Sequence, residues 1–70
     1  MERLPVTSTD INSVGYDVDN QVLEVEFHKG GTYQYFNVTQ NIYDDLMVSE
    51  SKGKYFNLNI KKAGFAYSKI

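Results

Sequence analysis

The sequence predicts a small α+β domain, an antiparallel meander of three strands with one or two helices packed on one face. Three observations predict it. Residues 21–38 alternate apolar and polar side chains around Gly30 and Gly31; residues 39–53 switch to helical spacing; and the chain has only 70 residues, room for a single domain. The first eight residues, with Pro5 discouraging regular structure and Ser8, Thr9 and Asp10 reading as loop, form a loose tail, which leaves residues 9–70 as the domain. Ile11 to Asp17 is a candidate strand weakened by Ser13 and Gly15, and Asp17 to Asn20 supplies turn residues. Gln21 to Lys29 is the clearest strand, with Leu23, Val25 and Phe27 on one side and Glu24, Glu26 and His28 on the other. Thr32 to Val38 is its hairpin partner.

That hairpin raises a question of register. A two-residue Gly30-Gly31 loop places Tyr33 and Tyr35 on the outer face, whereas a three-residue loop turns them over to join Leu23, Val25 and Phe27. A chain this short buries only about 60% of its unfolded surface. Hiding two large rings is therefore the more economical solution, and the core register is the expected one. It turns Phe36 outward. Thr39 is placed to cap a helix beginning near Gln40, with Ile42, Tyr43, Leu46 and Met47 inward and Gly53 as its stop. Residues 54–63 fit a strand or a helix, and Gly64 after two lysines tips the reading to a short second helix. Phe65 to Ile70 is either a final strand or an extended tail.

Composition narrows the function classes. Without cysteine there is no disulfide and no thiolate metal site. No apolar stretch approaches the ~20 residues that cross a bilayer, and the N-terminus lacks the layout of a secretory signal, so the expected location is cytoplasmic. The net charge of −2 conceals an asymmetry: residues 1–50 carry −7, whereas residues 51–70 carry five lysines and no acid. Such a division suits an anionic partner, or two halves that attract each other.

In order along the chain stand Ser13 with Val14-Gly15-Tyr16-Asp17, alternating Leu23, Val25 and Phe27, then Tyr33-x-Tyr35 and Val38. Tyr43, Ser51-x-Gly53-x-Tyr55-Phe56-Asn57, Ile60-Lys61 and Tyr67 follow. This ordered set resembles the KTSC domain, a module named after lysyl-tRNA synthetase C-termini and found also as free-standing small proteins. The chain departs from the family pattern at Thr39, where proline is usual, and at Ser49, where alanine is usual. The resemblance brings no established activity; the synthetase association implies RNA as a partner.

The residues suggest the same partner. Lys52, Lys54, Lys61 and Lys62 are candidates for neutralising phosphates, Tyr55 or an exposed Tyr35 for stacking a base, and Asn57 for reading a base edge. Gly53 would let a phosphate approach the backbone. The alternative is protein docking or homodimerisation, with Phe36 as the anchor. Catalysis is not expected. His28 is the sole histidine, flanked by Glu24 and Glu26, and Ser51-x-x-Lys54 matches an acyltransferase spacing without the scaffold such a site needs. Asp17, Asp19 and Asn20 lack the later ligands of a calcium loop. The expectation is a non-catalytic binding module with no cofactor, no metal and no membrane contact.

Overall fold

The computed structural model describes residues 1–70. One antiparallel sheet runs through it in sequence order: β1 (Arg3–Pro5), β2 (Ile11–Asp17), β3 (Val22–Phe27), β4 (Thr32–Tyr35) and β5 (Tyr67–Lys69). Between β4 and β5 the chain forms α1 (Gln40–Val48), α2 (Lys52–Phe56) and a π-helical turn, Asn57–Lys61, fused to the end of α2. The α+β class stands, but the sheet has five strands where three were expected. No helix is long and apolar enough to cross a membrane.

The additional strands lie at the two edges. Residues 3–5, expected within a loose tail, pair with β2 through Arg3↔Gly15, Leu4↔Val14 and Pro5↔Ser13. Proline is tolerated there because an edge strand has one row of unpaired amides. Arg3 also reaches across the outer face. Its Nη1 pairs with a Glu24 oxygen and its Nε donates to Ser13 Oγ at 3.1 Å. The close approach of this segment accounts for Gly15, since a Cβ there would lie 2.7 Å from the Glu2 carbonyl oxygen. At the opposite edge β5 pairs with β4 through Tyr33↔Lys69 and Tyr35↔Tyr67.

The central register places Tyr33 opposite Val25 and Tyr35 opposite Leu23. Phe27 N–H donates to the Gly31 carbonyl at 3.0 Å, closing a loop of His28, Lys29 and Gly30. Both tyrosines therefore lie on the core face, as the longer-loop register requires. A bulge between Ile11 and Ser13 lets Ile11 and Val14, three apart, both enter the core. Leu23, Val25, Val38, Leu46, Phe56 and Ile60 complete it.

α1 starts at the expected residue and places Leu46 fully inside. Tyr16 fastens it to the sheet, stacking on Tyr43 at 4.8 Å and donating its hydroxyl to the Val38 carbonyl. Burial, then Asp44 and Asp17, push that hydroxyl's pKa up. The helix ends at Val48, however, and Gly53 lies inside α2 instead of stopping α1. Lys52 Nζ donates to the Ser49 carbonyl at 2.9 Å, occupying a carbonyl that α1 leaves open at its C-terminus. Asp17 is used by its own turn: its carboxylate accepts from the Asp19 and Asn20 backbone N–H groups and from Asn20 Nδ2. The Asn20 bonds hold its pKa below the usual value.

Candidate functional site

Strand alternation puts Phe27, Tyr33 and Tyr35 on one face of the β3–β4 hairpin, and β5 adds Tyr67 beside them. α2 drives Phe56 into the set from above, 5.3 Å from Phe27 and 5.2 Å from Tyr35, both edge-on. Tyr67 lies 5.6 Å from Tyr35 and 6.0 Å from Tyr33, completing an aromatic wall. These five rings line a groove of about 820 Å³, with Asp10, His28, Lys29, Asn57 and Lys61 among its polar residues. Its size is that of a small-molecule or few-residue ligand site.

The rings have different parts in it. Phe56 and Tyr35 are only 3% and 6% exposed and form the foundation. Burial, then the neighbouring Tyr33 and Tyr67, raise the Tyr35 pKa. Tyr33 is half-buried, and Tyr67 is 64% exposed, leaving most of a phenol ring open. Lys69 Nζ stands 5.9 Å from the Tyr33 ring centre, adding a cation at the rim. His28 is held at the groove by its Nε2, 3.0 Å from the Ser8 carbonyl oxygen, and by its backbone N–H, which donates to the Asp10 carbonyl.

The residues expected to bind nucleic acid are divided between two adjoining depressions and the surface around them. Asn57 and Lys61 stand on the groove wall, both exposed. Tyr35 lines the groove too, but it is wedged between Phe56 and Tyr67 and offers no open face to a base. Lys52 and Lys54 line a separate polar depression with Thr7, Ser8, Glu50 and Ser51, and Lys52 already caps α1. Lys62 is exposed outside both depressions. Tyr55 packs half-buried against the core, where burial and then Asp45 raise its pKa. Phe36 is half-buried, not the exposed anchor expected. The side of Gly53 expected to receive a phosphate is taken by Asp10, whose Oδ2 lies 2.9 Å from where a Cβ would stand.

Sequence reasoning missed Asp10, Lys29 and Tyr67 as groove residues, and Lys69 beside the Tyr33 ring. Phe27 was readable as a core-face residue by alternation, and Tyr33 joined it only in the three-residue-loop register. Tyr67 needed the β4–β5 pairing, and that pairing crosses the whole helical segment. The opposite face of the sheet is of different character: Glu24 and Glu26 lie among Arg3, Asn12, Ser13 and Gln34 in a polar network.

The model of the KTSC domain matches residues 7–65, most of the chain. The chain belongs to the KTSC domain family. A crystal structure of a KTSC domain protein from Yersinia pestis superposes with a TM-score of 0.94 at 43% identity, covering 99% of this chain and 96% of that one. An uncharacterised protein of Stutzerimonas stutzeri is 36% identical over 70 residues, which is 100% of this chain and 99% of the relative. A lysine–tRNA ligase of Nostoc punctiforme is 39% identical over 51 residues, 73% of this chain but only 9% of the ligase. The family match stops at Phe65, so Tyr67 and Lys69 lie beyond it, whereas the structural likeness takes in nearly all of this KTSC domain.

Proposed function

We propose that this KTSC domain is a non-catalytic module that binds single-stranded nucleic acid, RNA foremost, in the aromatic groove between β4–β5 and α2. The observation that carries the reading is the open Tyr67 ring beside Tyr33, rimmed by Lys29, Lys61 and Lys69. A base stacked on an aromatic ring gains about 1–3 kcal/mol with little regard to its identity. Lysines at the rim neutralise the flanking phosphates and release counterions. The opposite sheet face, with Glu24 and Glu26, repels a phosphate backbone, which leaves the lysine-bearing groove as the better-suited face. Lysine–tRNA ligases among the relatives favour RNA as the polymer. The alternative of docking a protein through Phe36 has less support, because that ring is half-buried.

The test is an amide-shift NMR titration of the labelled protein with single-stranded RNA and with tRNA, at low and then physiological salt. Shifts at residues 27–33, 57–61 and 67–69 that fade with salt are expected. An unchanged spectrum at low salt, or shifts confined to the Glu24 face, would overturn the proposal.

A further inference from the structure

Asp10 is out of keeping with a phosphate-binding groove. It stands at the head of β2 on the wall that the groove shares with the polar depression beside it. Its backbone is bolted on both sides, the N–H donating to Ser8 Oγ at 3.3 Å and the carbonyl accepting from His28 N–H at 2.9 Å. Its carboxylate fills the space left by the missing side chain of Gly53. Yet no side chain satisfies that carboxylate: both ion pairs of the protein belong to Arg3. Asp10 is exposed, and its unpaired carboxylate stands on the wall of a groove lined also by Lys29, Lys61 and His28, with Lys69 by the Tyr33 ring at the rim.

We infer that Asp10 reads the base and that the groove selects guanine within single-stranded RNA; this rests on the nucleic-acid reading above. A carboxylate next to a phosphate repels it, so a ligand whose phosphates meet the lysines turns its base toward Asp10. An ionised carboxylate only accepts hydrogen bonds. The base it suits must present N–H donors along its exposed edge, and unstacked bases in RNA are read on that edge. Guanine alone presents two adjacent donors, N1–H and the N2 amino group, matching the two carboxylate oxygens. Adenine and cytosine offer one amino group beside an acceptor nitrogen. Uracil offers one N–H flanked by two carbonyl oxygens that the carboxylate opposes. Asn57 on the same groove wall can donate to the guanine carbonyl. Gly53 is a positioning residue here, since a side chain in its place displaces Asp10.

The experiment measures binding of short oligouridines carrying one central guanosine, inosine, adenosine or uridine, at low salt, by fluorescence anisotropy. Guanosine is expected to bind about tenfold more tightly than adenosine, in line with a bidentate base contact. Inosine, which lacks the N2 amino group, falls between them. In Asp10→Asn the guanosine-to-adenosine ratio drops toward one whatever happens to the absolute affinities, and Gly53→Ala shrinks it in the same direction. Equal affinities in the wild-type protein, or a guanosine preference that survives Asp10→Asn, overturn the base assignment and leave the groove standing. Absence of binding to every oligomer overturns the groove reading and this inference together.

Discussion

Replacing Arg3 with methionine tests whether the N-terminal strand is held by a charge. Methionine keeps an aliphatic stem to lie over the sheet and removes every donor. The structure assigns Arg3 a pairing with the nearly buried Glu24, a bond to Ser13 Oγ and a longer contact of 4.0 Å to Glu26. After the change, one Glu24 oxygen keeps its bond from Gln34 Nε2, at 2.9 Å, and the other has no donor. An unsatisfied buried acceptor costs about 1–3 kcal/mol, more when charged. The Arg3 side chain is itself 32% exposed, which screens the pair and argues for the middle of that range. The expected loss is about 2 kcal/mol, a fall in Tm of roughly 8–16 °C for a domain of this size.

The pH dependence carries a sign. Burial raises the Glu24 pKa, but hydrogen bonds from Gln34 and Arg3, together with the Arg3 charge, outweigh it and leave the group below its usual 4.5. The folded protein thus binds that proton less readily than the unfolded chain. The stabilisation is present above the ordinary glutamate range and is lost as pH falls through the lowered folded value. In Arg3→Met the lowering shrinks, so less stability is lost on acidification and the two proteins converge as pH falls. Urea denaturation of both proteins from neutral pH downward measures this. A loss under about 0.5 kcal/mol at neutral pH, the level of an ordinary surface substitution, or one that does not narrow as pH falls would refute the reasoning.

Three further outcomes are expected. With Lys29, Lys61 and Lys69 at the groove, the slope of log affinity for single-stranded RNA against log salt should be about −2, easing by about 0.7 for each lysine changed to glutamine; anisotropy titrations across a salt series measure it. Tyr67→Ala should weaken RNA binding by roughly 5- to 100-fold through the lost stack, with a small stability cost because the ring is 64% exposed; thermal melts and anisotropy together separate the two effects. Gly15→Ala should destabilise the fold by about 1–3 kcal/mol, because the obstacle at 2.7 Å is backbone and cannot swing away; chemical denaturation reads it.

Much of the central sheet was legible because its information is local. Ile11–Asp17 was readable from end to end, and the face of Tyr33 and Tyr35 followed from loop length and the shortage of core. α1 was legible at its start, where helical spacing begins, and not at its end, where Lys52 reaches back to the Ser49 carbonyl. β1 was illegible because nothing within residues 1–8 specifies a strand; Gly15 and Glu24, distant in sequence, do so. The groove was half legible. Asn57 and Lys61 announced themselves by residue type, whereas Asp10, Lys29 and Tyr67 come together only through the β4–β5 pairing and the approach of α2 to the head of β2. Composition alone suggested four lysines acting together, and the fold divides them between two adjoining depressions and the surface beyond.

The sequential order of the strands has a kinetic consequence. Every strand pairs with its neighbour along the chain, and three of the four pairings close over short loops. Low sequence separation between contacts favours rapid folding. The β1–β4 meander can therefore zip as the chain emerges, each hairpin serving as the template for the next. Only the last pairing, β4 with β5, spans the helical segment and bears a substantial loop-closure cost. Under strain or mild denaturant, β5 should be the first strand to fray, exposing Tyr35 and releasing Tyr67 while the remaining sheet persists. The aromatic groove would then be assembled last during folding and dismantled first on unfolding, with an opening free energy below that of the domain as a whole.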